Sequence, residues 1–319
     1  MQDLRRDILQ CIGNTSLVAL QHVVPKNGAR ILLKLESENP TGSMKDRMAL
    51  AMIEAAEADG RLAAGGSVVE YTGGSTGVSL SLVCAVKRHP LHIVTSDAFA
   101  REKLDHMRIL GARLQIVQSE SGGMTEELTR AMIEAARVIA AETGAFWTDQ
   151  MNNKDPLAAY QKLAEEMWIQ TGGQIDGFVQ SVGTAASLRG TGEALRQRNG
   201  RIRVVAVEPS ESPVLSGGQP GAHKIDGIGA GFVVPLWRKD IADQIEGVST
   251  EEAVATAFRL AREEGLFAGT STGANVIAAL RLAEQLGPGA TVVTIICDTG
   301  MKYLRTYGAK LSGSALDAH

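Results

Sequence analysis

Segments typical of β-strands alternate with segments typical of α-helices along almost the whole chain. Short runs rich in β-branched residues predict strands, and longer runs with apolar residues at helical spacing predict helices. The predicted strands are residues 31–35, 68–71, 92–95, 114–117, 178–181, 202–207 and 291–296. The predicted helices are residues 48–58, 77–87, 98–110, 124–141, 187–198, 251–264 and 272–286. This alternation with short connections predicts an α/β fold with parallel sheets and helices on both faces.

The alternation runs in two series, one in each half of the chain, and 319 residues suffice for two domains. We therefore expect two doubly wound α/β domains with a cleft between them. Residues 210–235 form the longest stretch without a regular pattern, and they are rich in Gly, Ser and Pro. Long irregular stretches inside compact chains are often functional loops.

The composition argues against several classes of protein. The formal net charge is −4, so no basic surface for nucleic acid or an anionic membrane is expected. The N-terminus lacks the apolar core of a secretory signal, and no apolar run approaches membrane-spanning length. The three cysteines have no pairing pattern, which is typical of free thiols in a reducing compartment, and the histidines show no metal-ligand spacing. We expect a cytoplasmic protein without a metal site.

Lys45 is the strongest chemical candidate. It follows a predicted strand and a Pro/Gly turn, and it stands at the start of an amphipathic helix. The N-terminus of a helix carries a partial positive charge, which disfavours an ammonium group and lowers its pKa. A lysine that loses its proton easily is a nucleophile that forms Schiff bases.

Three further glycine-rich turns follow predicted strands, where open α/β sheets bind ligands. Residues 72–77 (TGGSTG) and 183–187 (GTAAS) each lead into a helix, and the free N–H groups of such a helix start bind carboxylate or phosphate. Residues 297–300 (CDTG) follow the buried strand and present the hydroxyl of Thr299. The Gly-Lys-Ser/Thr ending of a P-loop is missing, and no dinucleotide fingerprint is present.

Together these turns resemble the pyridoxal-phosphate enzymes of the cysteine synthase and cystathionine β-synthase family, which have the tryptophan synthase β-like fold. The resemblance is carried by residues 12–17 (IGNTSL), 39–47 (NPTGSMKDR), 208–218, 223–232 (HKIDGIGAGF) and 269–274. It implies a smaller, mobile substrate-binding domain of residues 1–12 and 35–146. It also implies a larger cofactor-binding domain of residues 13–34 and 147–319, with the cofactor between the two.

The resemblance also implies roles for individual residues. Lys45 holds pyridoxal 5'-phosphate as a Schiff base and later acts as the base for the α-proton. The cofactor phosphate is bound by Gly183, Thr184, Ala185, Ala186 and Ser187, and the remaining cofactor contacts are Thr299 at the pyridine nitrogen and Ser75. The substrate carboxylate is bound by Thr72, Gly73, Gly74 and Thr76 with Gln150, and Gly227 lies near the substrate amine. A homodimer is expected on the same basis.

The implied reaction is that of cysteine synthase, in which O-acetylserine loses acetate to give an aminoacrylate and sulfide then adds to form cysteine. Alternatives that share this intermediate are a cystathionine β-synthase-like reaction with a bulkier thiol, a cysteine desulfhydrase, and a replacement with an amine nucleophile. A non-catalytic regulatory protein that binds pyridoxal phosphate is a further alternative, and a nucleotide-binding α/β protein is another.

Several positions depart from the family pattern. Gly73 replaces a serine, which is expected to widen the site and to suit a larger nucleophile. Ser75 replaces an asparagine that reaches the ring hydroxyl of the cofactor, so its contact is expected to need a bridging water. Ala185 and Ala186 replace glycines, and alanine fits such a loop without strain only where φ is negative.

Overall fold

The computed structural model describes residues 4–120 and 125–313 and contains two separate β-sheets. The strands are β1 (Leu17–Ala19), β2 (Arg30–Leu35), β3 (Val68–Tyr71), β4 (Leu91–Ser96), β5 (Arg113–Val117), β6 (Phe146–Trp147), β7 (Gly177–Ser181), β8 (Arg203–Pro209), β9 (Gln244–Val248) and β10 (Thr291–Ile296). The α-helices are α1 (Lys45–Asp59), α2 (Ser75–Lys87), α3 (Arg101–Ile109), α4 (Glu126–Thr143), α5 (Pro156–Gln170), α6 (Ala186–Arg198), α7 (Thr250–Glu263), α8 (Thr270–Leu286) and α9 (Leu304–Gly313).

The larger sheet has six strands in the order β1-β2-β10-β7-β8-β9. Only β1 is antiparallel to its neighbour, and the other pairings are parallel. Strand β10 is buried along its whole length, as expected for a central strand of a parallel sheet covered on both faces. Helices α7 and α8 pack against one face, and α5 and α6 pack against the other.

The smaller sheet has four parallel strands in the order β5-β4-β3-β6. Its side chains alternate between the two faces, as the pleat of a strand requires. Val69 and Val94 pack with α4 on one face, whereas Val68 and Ile93 pack on the other with the cluster that includes residues of α1, α2 and α3. The prediction of an α/β fold with parallel sheets and helices on both faces is thus confirmed.

Most predicted elements occur within a few residues of their expected bounds. The start of the predicted helix 124–141 lies outside the described residues, and so do the domain limits at 1 and 319. Strands β1, β6 and β9 and helices α5 and α9 are absent from the predicted elements. In the part of the chain that the structure describes, no helix is both long and apolar enough to cross a bilayer.

Candidate active site

Lys45 is the first residue of α1, as predicted, and the segment before it is joined to the end of β10. The backbone N–H of Met44 donates to the carbonyl of Cys297 at 2.9 Å, and the N–H of Thr299 donates to the carbonyl of Gly42 at 2.9 Å. These two hydrogen bonds place the first turn of α1 against the carboxyl end of the central strand, where parallel sheets bind ligands.

The amine of Lys45 has a lowered pKa, in agreement with the prediction. Burial is the largest cause, because removal from water disfavours the charged ammonium, and Cys297 and Asp298 act in the opposite direction. The cause expected from the sequence was the helix N-terminus, so the direction of the pKa shift is as predicted and its main cause differs. Nζ of Lys45 makes no hydrogen bond or ion pair with the rest of the described chain.

Residues 183–187 connect β7 to α6 and leave the start of that helix open. No side chain caps α6, and the N–H groups of Ser187 and Leu188 make no hydrogen bond within the described residues. A Cβ on Gly183 would lie 2.5 Å from the carbonyl oxygen of Gly227, so this turn touches the loop at Gly227 directly. Unpaired N–H groups at a helix N-terminus suit an anion such as phosphate.

Ala185 adopts a backbone conformation that the sequence argument did not allow for. Its φ is +68° and its ψ is −9°, so this non-glycine residue lies in the left-handed region. The condition for an unstrained alanine, a negative φ, is therefore not met at Ala185, whereas the neighbouring Ala186 is helical. The conformation costs an alanine about 1–2 kcal/mol relative to glycine, and the surrounding structure has to supply that energy.

The two alanines should therefore respond differently to glycine. In Ala185→Gly, relief of left-handed strain offsets the loss of a buried methyl group worth about 0.8 kcal/mol, so we expect a stability close to that of the parent. In Ala186→Gly, the methyl group is lost and the greater freedom of the unfolded chain costs about 0.4–1 kcal/mol more. Urea unfolding of both variants checks this expectation, and an equal loss of stability in both would contradict it.

Residues 72–76 form the turn between β3 and α2, and the helix begins at Ser75, two residues before the predicted start. Gly74 caps the helix without a side-chain hydrogen bond, and the N–H groups of Ser75 and Thr76 make no hydrogen bond within the described residues. The hydroxyl of Thr76 donates to Oε1 of Gln150 at 2.9 Å. The structure thus brings Gln150 to residues 72–76, the turn predicted to bind the substrate carboxylate. The start of α2 in this turn is a second helix N-terminus with open N–H groups.

Ser75 and Asp298 link the turn of residues 72–76 to the turn that follows β10. The hydroxyl of Ser75 donates to Oδ2 of Asp298 at 2.8 Å, and it accepts from Nζ of Lys302 at 3.2 Å. The other carboxylate oxygen of Asp298, Oδ1, is buried and has no hydrogen-bond partner within the described residues. Thr299 instead accepts a hydrogen bond from the N–H of Met301, so neighbouring side chains at this strand end have different partners.

Gly73 does not widen the site, and that expectation is wrong. A Cβ on Gly73 would lie 1.7 Å from Cδ2 of Phe99 and 1.9 Å from its Cε2 and Cγ. The aromatic ring therefore occupies the space that a side chain at position 73 would need. No local pattern indicates this contact, because Phe99 lies in a different turn.

A buried group of charged side chains beside the turns was also missed. Nζ of Lys103 forms an ion pair with Asp226 at 2.7 Å and donates to the hydroxyl of Tyr303 at 3.2 Å. Tyr303 in turn donates to Oδ2 of Asp298 at 2.8 Å. Burial lowers the pKa of Lys302 to about 8. The position of Lys302 just after Thr299 was an available signal, whereas Lys103 is part of an ordinary charged helix pattern.

The residues present fit pyridoxal phosphate. An uncapped helix start formed by small residues suits the phosphate, and a second uncapped helix start suits an amino-acid carboxylate. An amine with a lowered pKa is suited to forming a Schiff base with the cofactor aldehyde. The buried oxygen of Asp298 without a partner lies in the same group of side chains and is one more polar atom that a bound molecule can satisfy.

Comparison with known proteins agrees with this reading of the geometry. The sequence profile described as "Pyridoxal-phosphate dependent enzyme" matches residues 8–298. A curated cysteine synthase of Staphylococcus aureus is 39% identical over 302 residues, which cover 94% of this chain and 96% of the relative.

Solved structures with similar folds extend the comparison. A cysteine synthase from Entamoeba histolytica has a TM-score of 0.90 and 35% identity, covering 97% of this chain and 92% of that one. An O-acetylserine dependent cystathionine β-synthase from Helicobacter pylori has a TM-score of 0.88 and 31% identity, covering 95% and 98%.

Proposed function

Because the chain belongs to the family of pyridoxal-phosphate dependent enzymes, we propose that it is a cysteine synthase that acts on O-acetylserine and sulfide. The names of the Staphylococcus aureus and Entamoeba histolytica relatives support cysteine as the product. The Helicobacter pylori relative is named as dependent on O-acetylserine, which supports that donor. The bond from Cβ to the acetoxy oxygen breaks with its electron pair leaving on acetate, and a bond from sulfur to Cβ forms.

We assign the central roles to residues of the two open turns and to Lys45. Pyridoxal phosphate, when bound, supplies the electron sink that makes the α-proton acidic and the β-substituent labile. The lowered pKa of Lys45 favours its neutral amine, which attaches the cofactor and then moves the proton at Cα of the donor. Residues 183–187 would hold the phosphate, and Thr299 would face the ring nitrogen.

The carboxylate of the donor is proposed to bind at residues 72–76. The open N–H groups at the start of α2 would receive it, with Gln150 fixing the hydroxyl of Thr76. Gly227 would lie near the substrate amine, since it contacts the phosphate turn at Gly183. We further propose that the unit carrying the four-stranded sheet moves toward the larger sheet when the donor binds, which would exclude water from the cleft.

The buried charges of the cleft favour a donor whose β-substituent is uncharged before it leaves. Lys103 pairs with Asp226, and Lys302 is attracted to Asp298. Each of these two buried ammonium groups therefore has a carboxylate near it, and neither is available to neutralise the phosphate group of a phosphoserine donor. This balance supports O-acetylserine over phosphoserine.

The observation that carries the proposal is that the residues flanking Lys45 are tied to two uncapped helices, α6 and α2. Nε2 of Gln180 donates to both Sδ of Met44 and Oγ of Ser187, and the hydroxyl of Ser79 in α2 donates to Asp46. The test is the visible spectrum of the purified protein, recorded before and after addition of O-acetylserine and then of sulfide. We expect a yellow protein whose band changes with O-acetylserine and returns with sulfide, with one cysteine formed for each O-acetylserine consumed.

Other results would redirect the assignment within or outside the family. A return of the band with homocysteine but not with sulfide would indicate cystathionine formation, and release of sulfide from cysteine would indicate a desulfhydrase. A protein that binds the cofactor, but whose spectrum no amino acid changes, would support the regulatory role. A colourless protein after incubation with pyridoxal phosphate would refute the cofactor assignment.

We also propose a homodimer in the cytoplasm. The dimer rests on the motifs shared with the family, and analytical ultracentrifugation of the holoenzyme tests it. The location is supported by Cys11, Cys84 and Cys297, which are all free thiols, as in a reducing compartment.

A further inference from the structure

The contact between Phe99 and Gly73 joins two turns of the smaller sheet. The ring atoms would lie within 2 Å of any Cβ at position 73, which is far inside van der Waals contact. The φ of Gly73 is not in the left-handed region, so its backbone does not demand glycine. Space alone excludes a side chain at this position, and the ring of Phe99 is what fills that space.

Both partners of this contact are attached to the same strand. The N–H of Thr72 donates to the carbonyl of Val94 in β4 at 2.9 Å. The N–H of Phe99 donates to the carbonyl of Ser96, the last residue of β4, at 3.3 Å. The ring is half-buried and packs against hydrophobic clusters on both faces of the small sheet. Phe99 is therefore held in place by its own turn and acts as a fixed support for residues 72–74.

The support lies directly before the open helix start. Gly73 precedes Gly74, whose N–H donates to the hydroxyl of Thr72 at 3.2 Å, and α2 begins at the next residue. A shift of the backbone at Gly73 would thus move the N–H groups of Ser75 and Thr76, which are the ones proposed to receive the donor carboxylate. Misplacement of a binding group by about 1 Å can cost on the order of 100-fold in rate.

We propose that Phe99 is a positioning residue for the amino-acid donor. Its ring replaces a side chain at position 73, fixes the backbone of residues 72–74, and so aims the start of α2 at the donor carboxylate. This inference rests on the proposed function, because it concerns the same carboxylate turn. It predicts that positions 73 and 99 are coupled, so that a side chain is tolerated at one only when the other is small.

A double-mutant cycle on the holoenzyme tests this coupling, with Phe99→Ala, Gly73→Ser and the two combined. Spectral titration gives the Kd of O-acetylserine, and steady-state rates give KM and kcat. For Phe99→Ala we expect the Kd and KM of the donor to rise about tenfold with kcat within about twofold, because uniform binding is lost. For Gly73→Ser we expect kcat/KM to fall about 100-fold, because the ring and the new side chain collide.

The combined variant decides the question. If Phe99 supports the turn, Phe99→Ala/Gly73→Ser recovers to within a few-fold of Phe99→Ala alone, since the space for the serine is then free. If its loss equals the product of the two single losses, or if Phe99→Ala leaves the Kd of O-acetylserine unchanged, the proposal is overturned. Phe146→Ala is the matched control, because Phe146 is also a half-buried phenylalanine of the small sheet, in β6. The Kd of O-acetylserine for this variant should equal that for the parent protein.

Failure of the proposed function gives a different pattern. If the spectrum of the parent protein does not respond to O-acetylserine, the donor assignment fails before any variant is compared. The contact itself can still be measured by thermal unfolding of the four holoenzymes. There, Gly73→Ser should lower the midpoint in the parent background and have a smaller effect, or none, when residue 99 is alanine; equal effects in both backgrounds would overturn the contact.

Discussion

Replacement of Lys45 by alanine is expected to remove the visible band of covalently attached pyridoxal phosphate and to lower cysteine formation by at least about 1,000-fold. Nζ of Lys45 is the group proposed both to attach the cofactor and to move the α-proton, and both functions are lost together. Borohydride reduction followed by mass spectrometry gives the measurement, since the reduced cofactor should stay on the peptide that contains Lys45 in the parent and be absent in the variant.

The control for Lys45→Ala is Lys162→Ala, because Lys162 is an exposed lysine on α5. It should keep both the reduced adduct and the rate of the parent. Far-ultraviolet circular dichroism should show that Lys45→Ala is folded. An adduct that persists in Lys45→Ala, on any other lysine, would refute the assignment of Lys45 as the attachment point.

The second large effect is expected on stability, from replacement of Arg47 by methionine. Arg47 is 5% exposed and lies two residues after Lys45 in α1. Its guanidinium donates to both carboxylate oxygens of Glu36, at 2.7 and 2.9 Å, and to both of Glu166, at 2.7 Å each. Methionine has a similar size but leaves both carboxylates without this partner. Breaking a buried ion pair on one side costs about 3–5 kcal/mol, which for a chain of this size is on the order of 10 °C in the unfolding midpoint.

The effect of Arg47→Met should depend on pH. Burial acts to raise the pKa of Glu166, but hydrogen bonds from Arg47 and Lys34 lower it to about 2. A carboxylate with a depressed folded-state pKa adds stability above its unfolded pKa, near 4.5, and loses it as the pH falls toward 2. The gap between parent and variant should therefore be largest at neutral pH and narrow below about pH 4.5.

Thermal unfolding at several pH values measures this gap. Arg130→Met is the control, because Arg130 is 72% exposed and pairs only at the surface with Glu126, where such pairs are worth about 0–1 kcal/mol. A loss in Arg47→Met no larger than that of the control would mean that the buried network does not hold the start of α1. A gap that stays constant from pH 7 to pH 3 would contradict the role given to Glu166.

Secondary-structure elements could be predicted from the sequence wherever their signals lie close together along the chain. Strand β10 and helix α1 were predicted because β-branched runs, apolar spacing and the Pro/Gly turn are adjacent features of the chain. Strand β6 was missed because two residues carry no periodicity, and β9 because its sequence, QIEGV, contains a charge and a glycine. Such short strands form because neighbouring strands offer hydrogen-bond partners, which is a property of the tertiary fold.

The same limit applies to the site. The turns at Lys45 and at residues 72–76 and 183–187 were found because each is a contiguous motif after a strand. The ring of Phe99 against Gly73 was not found, because its two halves are separated along the chain and meet only in space. The left-handed backbone of Ala185 was missed for a related reason, since alanine rarely adopts this conformation and only the surrounding packing imposes it.

The pairing of β2 with β10 has a consequence for folding while the protein is being synthesised on the ribosome. Thr291 follows Arg30 by 261 residues, so β2 leaves the ribosome long before its central partner has been made. At a synthesis rate of about 5–20 residues per second, this delay amounts to tens of seconds. The four strands of the smaller sheet all lie within that interval and can pair as they emerge. We therefore expect the smaller sheet to form in the nascent chain while the apolar strand β2 still lacks its partner β10 and remains exposed. The exposed strand is then a binding site for chaperones during translation.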